Sequence, residues 1–435
     1  MRAGISGSLR RLSYSRAEKV AFTRFFRNER VRVDEMLEAS SARTAEVVAG
    51  RHVALIEDTS EINYQSKAGR KRDLGRVGNG TDLGLFIHPA LAVDAKDGSV
   101  LGIAGAKVWR RKKKKKQNYQ SLPIEKKESY RWIETARSTD EVLVSAAVVT
   151  EIKDREGDIY EVFARPCPPN VRKLVRATHN RALADDGRLF DRVATKPEAG
   201  RFALDIPARP GRSARRTTLA VRFAKAELRQ PRLGADKRDP KSVALNIVEV
   251  CEIDPPARKE AVHWRLLTTH DIETLEDAME VVRLYRLRWT IEQLFRTLKS
   301  NAFDIEASFL QDGDALERLV VAALIAATQA LQLVYARGDA GRNYQATRVF
   351  TADEVAFLAV LVKTLQGKTQ KQKNSHPQNT LAWAAWSIAR LGGWNGYATE
   401  RPPGPITFAH GIKRFHAMAE GFALAQHKSK NVCSR

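Results

Sequence analysis

The sequence predicts an α/β fold with a β-rich insertion, and three observations carry that expectation. Two apolar runs end in acids, HVALIED at 52–58 and VLVSAAVVTEIKD at 142–154, as buried strands with polar C-terminal ends do. Residues 166–262 break β-type runs with Pro and Gly punctuation. Helical periodicity then dominates from Leu275 to about residue 366. Strands mixed with helices point to an α/β domain whose functional site lies where strand ends converge.

The elements follow in order. Residues 1–45 are basic and helix-prone, with AEKVAFTRFFRNERV followed by VDEMLEASSARTAEVV. After the strand at 52–58, LGLFIHPALAV (83–93) and VLGIAGAKVW (100–109) read as two more strands, joined through the turn signal Asp97-Gly98. The cationic run RRKKKKK occupies 110–116, ahead of a mixed helix and the strand at 142–154. Within 166–262, PCPPN, PARPGR and QPRLG separate strand-like TTLAVRF (217–223) and SVALNIVEV (242–250). The tail carries KTQKQKN, the helix LAWAAWSIARL, a RPPGP loop and a last helical segment. No internal repeat is present.

Composition narrows the function. The chain has 435 residues, which predicts about two or three compact units. Lys plus Arg number 74 against 51 Asp plus Glu, a net charge of +23 that suits a polyanion, nucleic acid first. A ribosome-associated or membrane-surface protein would show the same total. A hydrophobic share of 43% rules out bulk disorder. Cys167, Cys251 and Cys433 lie far apart without a CxxC, which excludes a disulfide framework and a zinc ribbon. Residues 319–335, LVVAALIAATQALQLVY, are interrupted by Thr328, Gln329 and Gln332 and read as a buried helix, not a membrane span. The opening residues lack the apolar core of a secretory signal, and the expected compartment is the cytoplasm.

Residues 284–300, LYRLRWTIEQLFRTLKS, hold the densest information. At about 100° per residue, Tyr285, Arg288, Trp289, Glu292, Arg296 and Lys299 fall on one face. Leu284, Leu287, Ile291, Leu294, Phe295 and Leu298 take the opposite side. An ordinary amphipathic surface helix would show a mixed polar face too. An aromatic pair among basic residues around one carboxylate is the additional feature.

Tyr285, Arg288, Glu292 and Lys299 stand as Y-x2-R-x3-E-x6-K. This pattern is similar to the signature of bacterial cut-and-paste insertion-sequence transposases, the family that includes the Tn-five transposase. LIEDTS (55–60) resembles that family's first-aspartate strand and DREGDIY (154–160) its second-aspartate segment. GRVGNGTDLGLFIHPALAV (75–93) and IARLGGW (388–394) extend the resemblance along most of the chain. The resemblance implies a ribonuclease-H-like catalytic core over 46–165 and 263–370, with the β-rich insertion at 166–262. It further implies a shortened helical DNA-binding remnant at 1–45 and a helical dimerisation segment at 371–435.

By the same resemblance Asp58, Asp154 and Glu292 form a DDE triad holding Mg²⁺ or Mn²⁺. Carboxylates suit such hard cations, and two ions can steady both oxygens of an in-line displacement at a phosphodiester. Glu57, beside Asp58, is expected to point to the other side of its strand. Asp158 is expected in the first turn of the next helix. Tyr285, Arg288 and Lys299 look like contacts to the DNA end. Arg296 shares their face and is either a helper or a simple surface arginine. Trp264 matches a tryptophan that stacks on a base rotated out of the duplex, with a core tryptophan as the rival reading. Arg176 sits where relatives carry a basic residue near the transferred end. The run at 110–116 has no counterpart in the pattern; it either binds phosphates without sequence preference or is a solvated loop.

The implied activity is transposition by strand hydrolysis, hairpin formation and strand transfer. The implied partners are double-stranded DNA and a second copy of the chain, with no membrane. FTRFFRNERV (22–31) resembles the end of the family's DNA-end-reading domain, so a shortened module is expected. Two alternatives remain open: an N-terminally truncated DNA-binding inhibitor of transposition, and a structure-specific nuclease on the same fold.

Overall fold

A computed structural model describes residues 7–13, 15–111, 119–206, 213–256, 261–300, 302–397 and 400–432. The helices are α1 (Leu9–Leu12), α2 (Arg16–Arg27), α3 (Val33–Val47), α4 (Arg131–Ser138), α5 (Tyr160–Ala164) and α6 (Leu189–Ala194), then α7 (Leu275–Arg286), α8 (Trp289–Lys299), α9 (Gly313–Ala336), α10 (Ala352–Leu365), α11 (Leu381–Leu391) and α12 (Pro405–Val432). The strands are β1 (His52–Glu57), β2 (Ser60–Asn63), β3 (Gly75–Val77), β4 (Asp82–Asp94), β5 (Val100–Trp109) and β6 (Val148–Lys153), then β7 (Val171–Arg176), β8 (Gly200–Ile206), β9 (Arg215–Arg229), β10 (Ser242–Glu252) and β11 (His263–Thr268). The molecule is a mixed α/β protein. It divides into two compact units: Met1–Val48 with Thr59–Lys113 and Thr290–Arg435, and Ala49–Asp58 with Lys114–Trp289.

The second unit is built on a mixed sheet in the order β1-β6-β7-β11-β10-β9-β8. β1, β6 and β7 run parallel, and the remaining neighbours are antiparallel. Burial explains the difference in texture. β1 is buried at every position after His52, as a parallel strand covered on both faces must be. β8 alternates half-buried with exposed positions for most of its length, as a strand with one wet face does. Trp132 of α4, Tyr160 and Phe163 of α5 and Leu189 of α6 pack with Ile247 and Leu267 into one core.

The compact units run across the expected segments. Strands β7 to β10, inside the expected insertion, continue the sheet that β1 and β6 begin. The Pro and Gly punctuation marks turns between strands of one sheet, and turns alone do not delimit a domain. The strand expected over 142–154 begins only at Val148, after a turn.

In the first unit β4 pairs antiparallel with β2, β3 and β5. The β4–β5 hairpin turns at Asp97-Gly98, where Gly98 takes φ +75° and donates to the Asp94 carbonyl at 2.9 Å. Helix α3 lies against β5, with the Thr44 hydroxyl donating to the Ile103 carbonyl at 2.8 Å. A Cβ on Gly102 would sit 2.2 Å from that hydroxyl oxygen, so the close approach requires glycine. Arg318 of α9 donates to the carbonyls of Val31 and Phe26 at 2.6 and 3.1 Å, tying the α2–α3 connection down. Leu358, Trp383, Ile388, Phe408 and Phe415 join α10, α11 and α12 in a helical core.

Helix α9 is long and apolar enough to cross a membrane by length and composition, but 67% of its most apolar stretch is buried in the protein. Its polar Gln332 donates to the Leu101 carbonyl at 2.8 Å, which satisfies a buried amide. Of the cationic run, Arg110 is not a free phosphate ligand. It pairs with Asp314 and, at 2.8 Å, with Glu317. Residues 112–116 and Cys433 lie outside the described residues.

Candidate active site

Register builds the site in the second unit. Parallel pairing runs from His52 opposite Val148 to Ile56 opposite Ile152. Extended past the Ile56–Ile152 pair, the same offset matches Glu57 to Lys153 and sets Asp58 and Asp154 each one residue beyond the C-terminal end of its strand, with neighbouring strands about 4.8 Å apart. Asp154 caps the single turn Arg155–Gly157, its Oδ1 accepting from the Glu156 amide at 2.9 Å. Asp58 Oδ2 accepts from Arg288 Nη1 at 3.0 Å, and both side chains are mostly buried.

Around this pair stand the aromatic and basic residues expected from sequence. Tyr285 is buried, with the Arg176 guanidinium close enough to act on its hydroxyl electrostatically. Burial pushes the Tyr285 hydroxyl up, the Arg288 and Arg176 charges pull it back, and Asp154 adds to the rise. Arg176 also donates to the His263 carbonyl at 3.1 Å, and burial lowers its guanidinium from the ordinary range. Trp264 is half-buried, with its ring 6.0 Å from that of Tyr285 in an edge contact, so it is not a core tryptophan. Asp58, Asp154, Arg176, Trp264, Tyr285 and Arg288 therefore belong to one unit.

Glu292, Arg296 and Lys299 lie on α8, in the first unit. Arg296 is exposed; Glu292 and Lys299 are partly buried. The continuous helix expected over 284–300 is broken. Leu287 and Arg288 form a turn between α7 and α8, with i→i+3 bonds to Leu284 and Tyr285. A tighter turn winds about 120° per residue, so the phase of a straight helix does not carry across it. Tyr285, on α7, is buried at 5% exposure, whereas Trp289, the first residue of α8, is exposed, so the two do not share the expected outer face.

The site carries a second layer that sequence reading missed. Glu57 points away from Asp58 and is fully buried, ion-paired with Lys153. Lys153 also meets Glu151 at 3.1 Å, and Lys173 of β7 meets Glu151 at 2.5 Å. Burial opposes the Lys153 charge, but Glu151 and Glu57 outweigh it and raise its pKa. Charges at alternate positions of VVTEIK were the available signal, because a strand places them on one face. Asp158 is likewise corrected. It precedes α5 by two residues and, with its side chain buried, accepts from the amides of Thr178 and His179 at 2.7 and 3.0 Å and pairs with Arg181 at 2.8 Å.

Hard carboxylate oxygens suit a divalent cation in kind. Among the described residues no group of three His, Cys, Asp or Glu side chains is placed to hold a metal ion, and the second unit by itself supplies the two carboxylates of Asp58 and Asp154. Asp58 is engaged by a guanidinium and Asp154 by its own helical turn. What the arrangement does offer is two guanidiniums and a phenol beside two aspartates, a setting for a phosphate ester.

Residues 88–329, more than half of the chain, match the family model described as a transposase DDE domain. That span includes Asp154 and Glu292 but not Asp58. Among solved structures, a cryo-EM piggyBac transposase synaptic complex with hairpin DNA is similar at 10% identity and a TM-score of 0.33. The match covers 65% of this chain and 47% of that one, so the chain spans about half the length of the solved protein it matches.

Proposed function

Because the chain belongs to the transposase DDE-domain family, we propose that it catalyses cut-and-paste DNA transposition of an insertion sequence on a ribonuclease-H-like core, in the manner of the Tn-five group. One observation supports the reading above the others. The β1–β6 register brings Asp58 and Asp154 level at two strand ends, beside Arg288, Arg176 and Tyr285. Asp58, Asp154 and Glu292 act as the three carboxylates, with a requirement for Mg²⁺ or Mn²⁺ tested by the same experiment. Arg288 and Arg176 bind and orient the scissile phosphate. Tyr285, Lys299 and Arg296 contact the DNA end alongside them. Trp264 takes the base left unstacked when one strand closes into a hairpin. Strand hydrolysis frees a 3′-OH, which closes that hairpin and, after reopening by water, joins target DNA. A homodimer acting in the bacterial nucleoid would hold both ends.

The test is a cleavage and strand-transfer assay on DNA carrying the repeats that flank the gene. Asp58→Ala, Asp154→Ala and Glu292→Ala each lower Mg²⁺-dependent cleavage by at least about a hundredfold, the scale of losing a group that acts on the reacting atoms, while DNA binding holds. Cleavage at a near-normal rate in any of the three would reject the triad. Cleavage without joining of precut ends would leave a nuclease.

A further inference from the structure

In the first unit one loop is built to hold an aromatic ring in water. Residues 308–311 alternate in burial: Ser308 and Leu310 are buried, whereas Phe309 is 61% exposed. The basic stretch after β2 clamps this loop by its carbonyls. Lys67 Nζ donates to the Glu306 carbonyl at 2.9 Å, and Lys71 Nζ to those of Ser308 and Leu310 at 2.8 and 2.5 Å. The Arg72 amide donates to the Gln311 carbonyl at 2.8 Å. The Lys67 ammonium lies 5.2 Å from the centre of the Phe309 ring. Burial lowers Lys71 to about 8, so holding the loop this way carries a desolvation cost.

That cost fixes a ring which contributes little to the core. Among the described residues Phe309 is the most exposed phenylalanine, and four hydrogen bonds to the carbonyls of residues 306, 308, 310 and 311 hold the backbone around it. The cations around it identify the partner. Arg70 and Arg72 are exposed on the clamping stretch, and Arg76 follows on β3. The nearby acids are used internally. Glu306 accepts from the Asn63 amide at 3.0 Å, and Asp312 caps α9. A planar ring with a lysine ammonium 5.2 Å from its centre, exposed arginines on the stretch that clamps its loop and the adjoining acids engaged fits a base with its flanking phosphates.

We propose that Phe309 is a stacking platform for an unpaired DNA base, with Arg70 and Arg72 binding the phosphates on either side. The proposal rests on the reading of the chain as a DNA-processing enzyme, and it adds a base contact distinct from Trp264. The experiment uses the full chain with a short duplex, either blunt or carrying a single-stranded overhang that contains 2-aminopurine. Wild type quenches the 2-aminopurine and binds the overhang duplex more tightly than the blunt one. Phe309→Ala restores the fluorescence and weakens binding to the overhang duplex by about tenfold, with blunt binding and the thermal unfolding midpoint unchanged. Phe309→Trp keeps the wild-type behaviour, and Phe309→Leu behaves like Phe309→Ala. Equal overhang affinity and quenching in wild type and Phe309→Ala would overturn the platform while leaving the transposase reading intact. Equal losses on both duplexes would overturn it as well, by pointing to a general structural effect. A wild-type chain that binds neither duplex would instead remove the functional reading on which the proposal stands.

Discussion

At the scale of single residues, the second unit treats its ionisable groups by where they are buried. His270 shows this. The Thr150 hydroxyl bridges His270 Nε2 at 2.9 Å and His52 Nε2 at 2.8 Å. Burial first, and then the His52 and Arg172 charges, together lower the His270 imidazole to about 4 against the opposing pull of Glu280 and Asp271. The unfolded chain therefore takes up this proton first as the pH falls. The stability due to neutral His270 is complete above about pH 6.5 and drains away between about pH 6.5 and 4. Urea midpoints at pH 7 and pH 5 check this: wild type loses more between the two than His270→Gln does. Equal losses would clear His270 of the effect. No motif in the sequence singled out this histidine, because its neighbours His52 and Thr150 lie far away along the chain.

At the scale of elements, the Glu57–Lys153 pair ties the ends of β1 and β6. Both residues are fully buried, and the next residue along each strand is Asp58 or Asp154. Replacing one partner strands a charge in the interior. Lys153→Met is expected to destabilise the protein by about 3–5 kcal/mol, the usual result of breaking a buried pair. Glu57→Leu combined with Lys153→Met costs less, since no unpaired charge remains between them. Urea denaturation of the three proteins gives the comparison; a loss under about 1 kcal/mol for Lys153→Met would show that the pair adds little to stability. The individual strands were readable, as β1, β4, β5, β9 and β10 all contain the runs picked out by composition. The break between α7 and α8 was not. LYRLRWTIEQLFRTLKS has continuous helical periodicity, and no Pro or Gly marks the turn at Leu287 and Arg288.

At the scale of the whole molecule, the +23 charge predicts that the proposed DNA binding weakens as salt rises. Arg110 pairs with Asp314 and Glu317 and the Arg111 guanidinium lies 4.4 Å from the centre of the Phe86 ring, so the part of the cationic run to test is residues 112–116. Deleting them is expected to flatten the plot of log Kd against log salt, by about 0.9 for each phosphate that is no longer neutralised. An unchanged slope would make the run a bystander. The sequence by itself determined the α/β class, the positions of most strands, the basic charge balance and the resemblance to a DDE transposase. Each of these depends on local apolar periodicity, total charge or short motifs, which a linear chain carries openly. Only the tertiary structure decided that the β-rich stretch continues the sheet of β1 and β6, that Arg288 grips Asp58, and that lysines lift Phe309 into solvent. Those outcomes depend on strand register and on which side chains meet across tens to hundreds of residues, and pairing of that kind leaves no mark on local sequence.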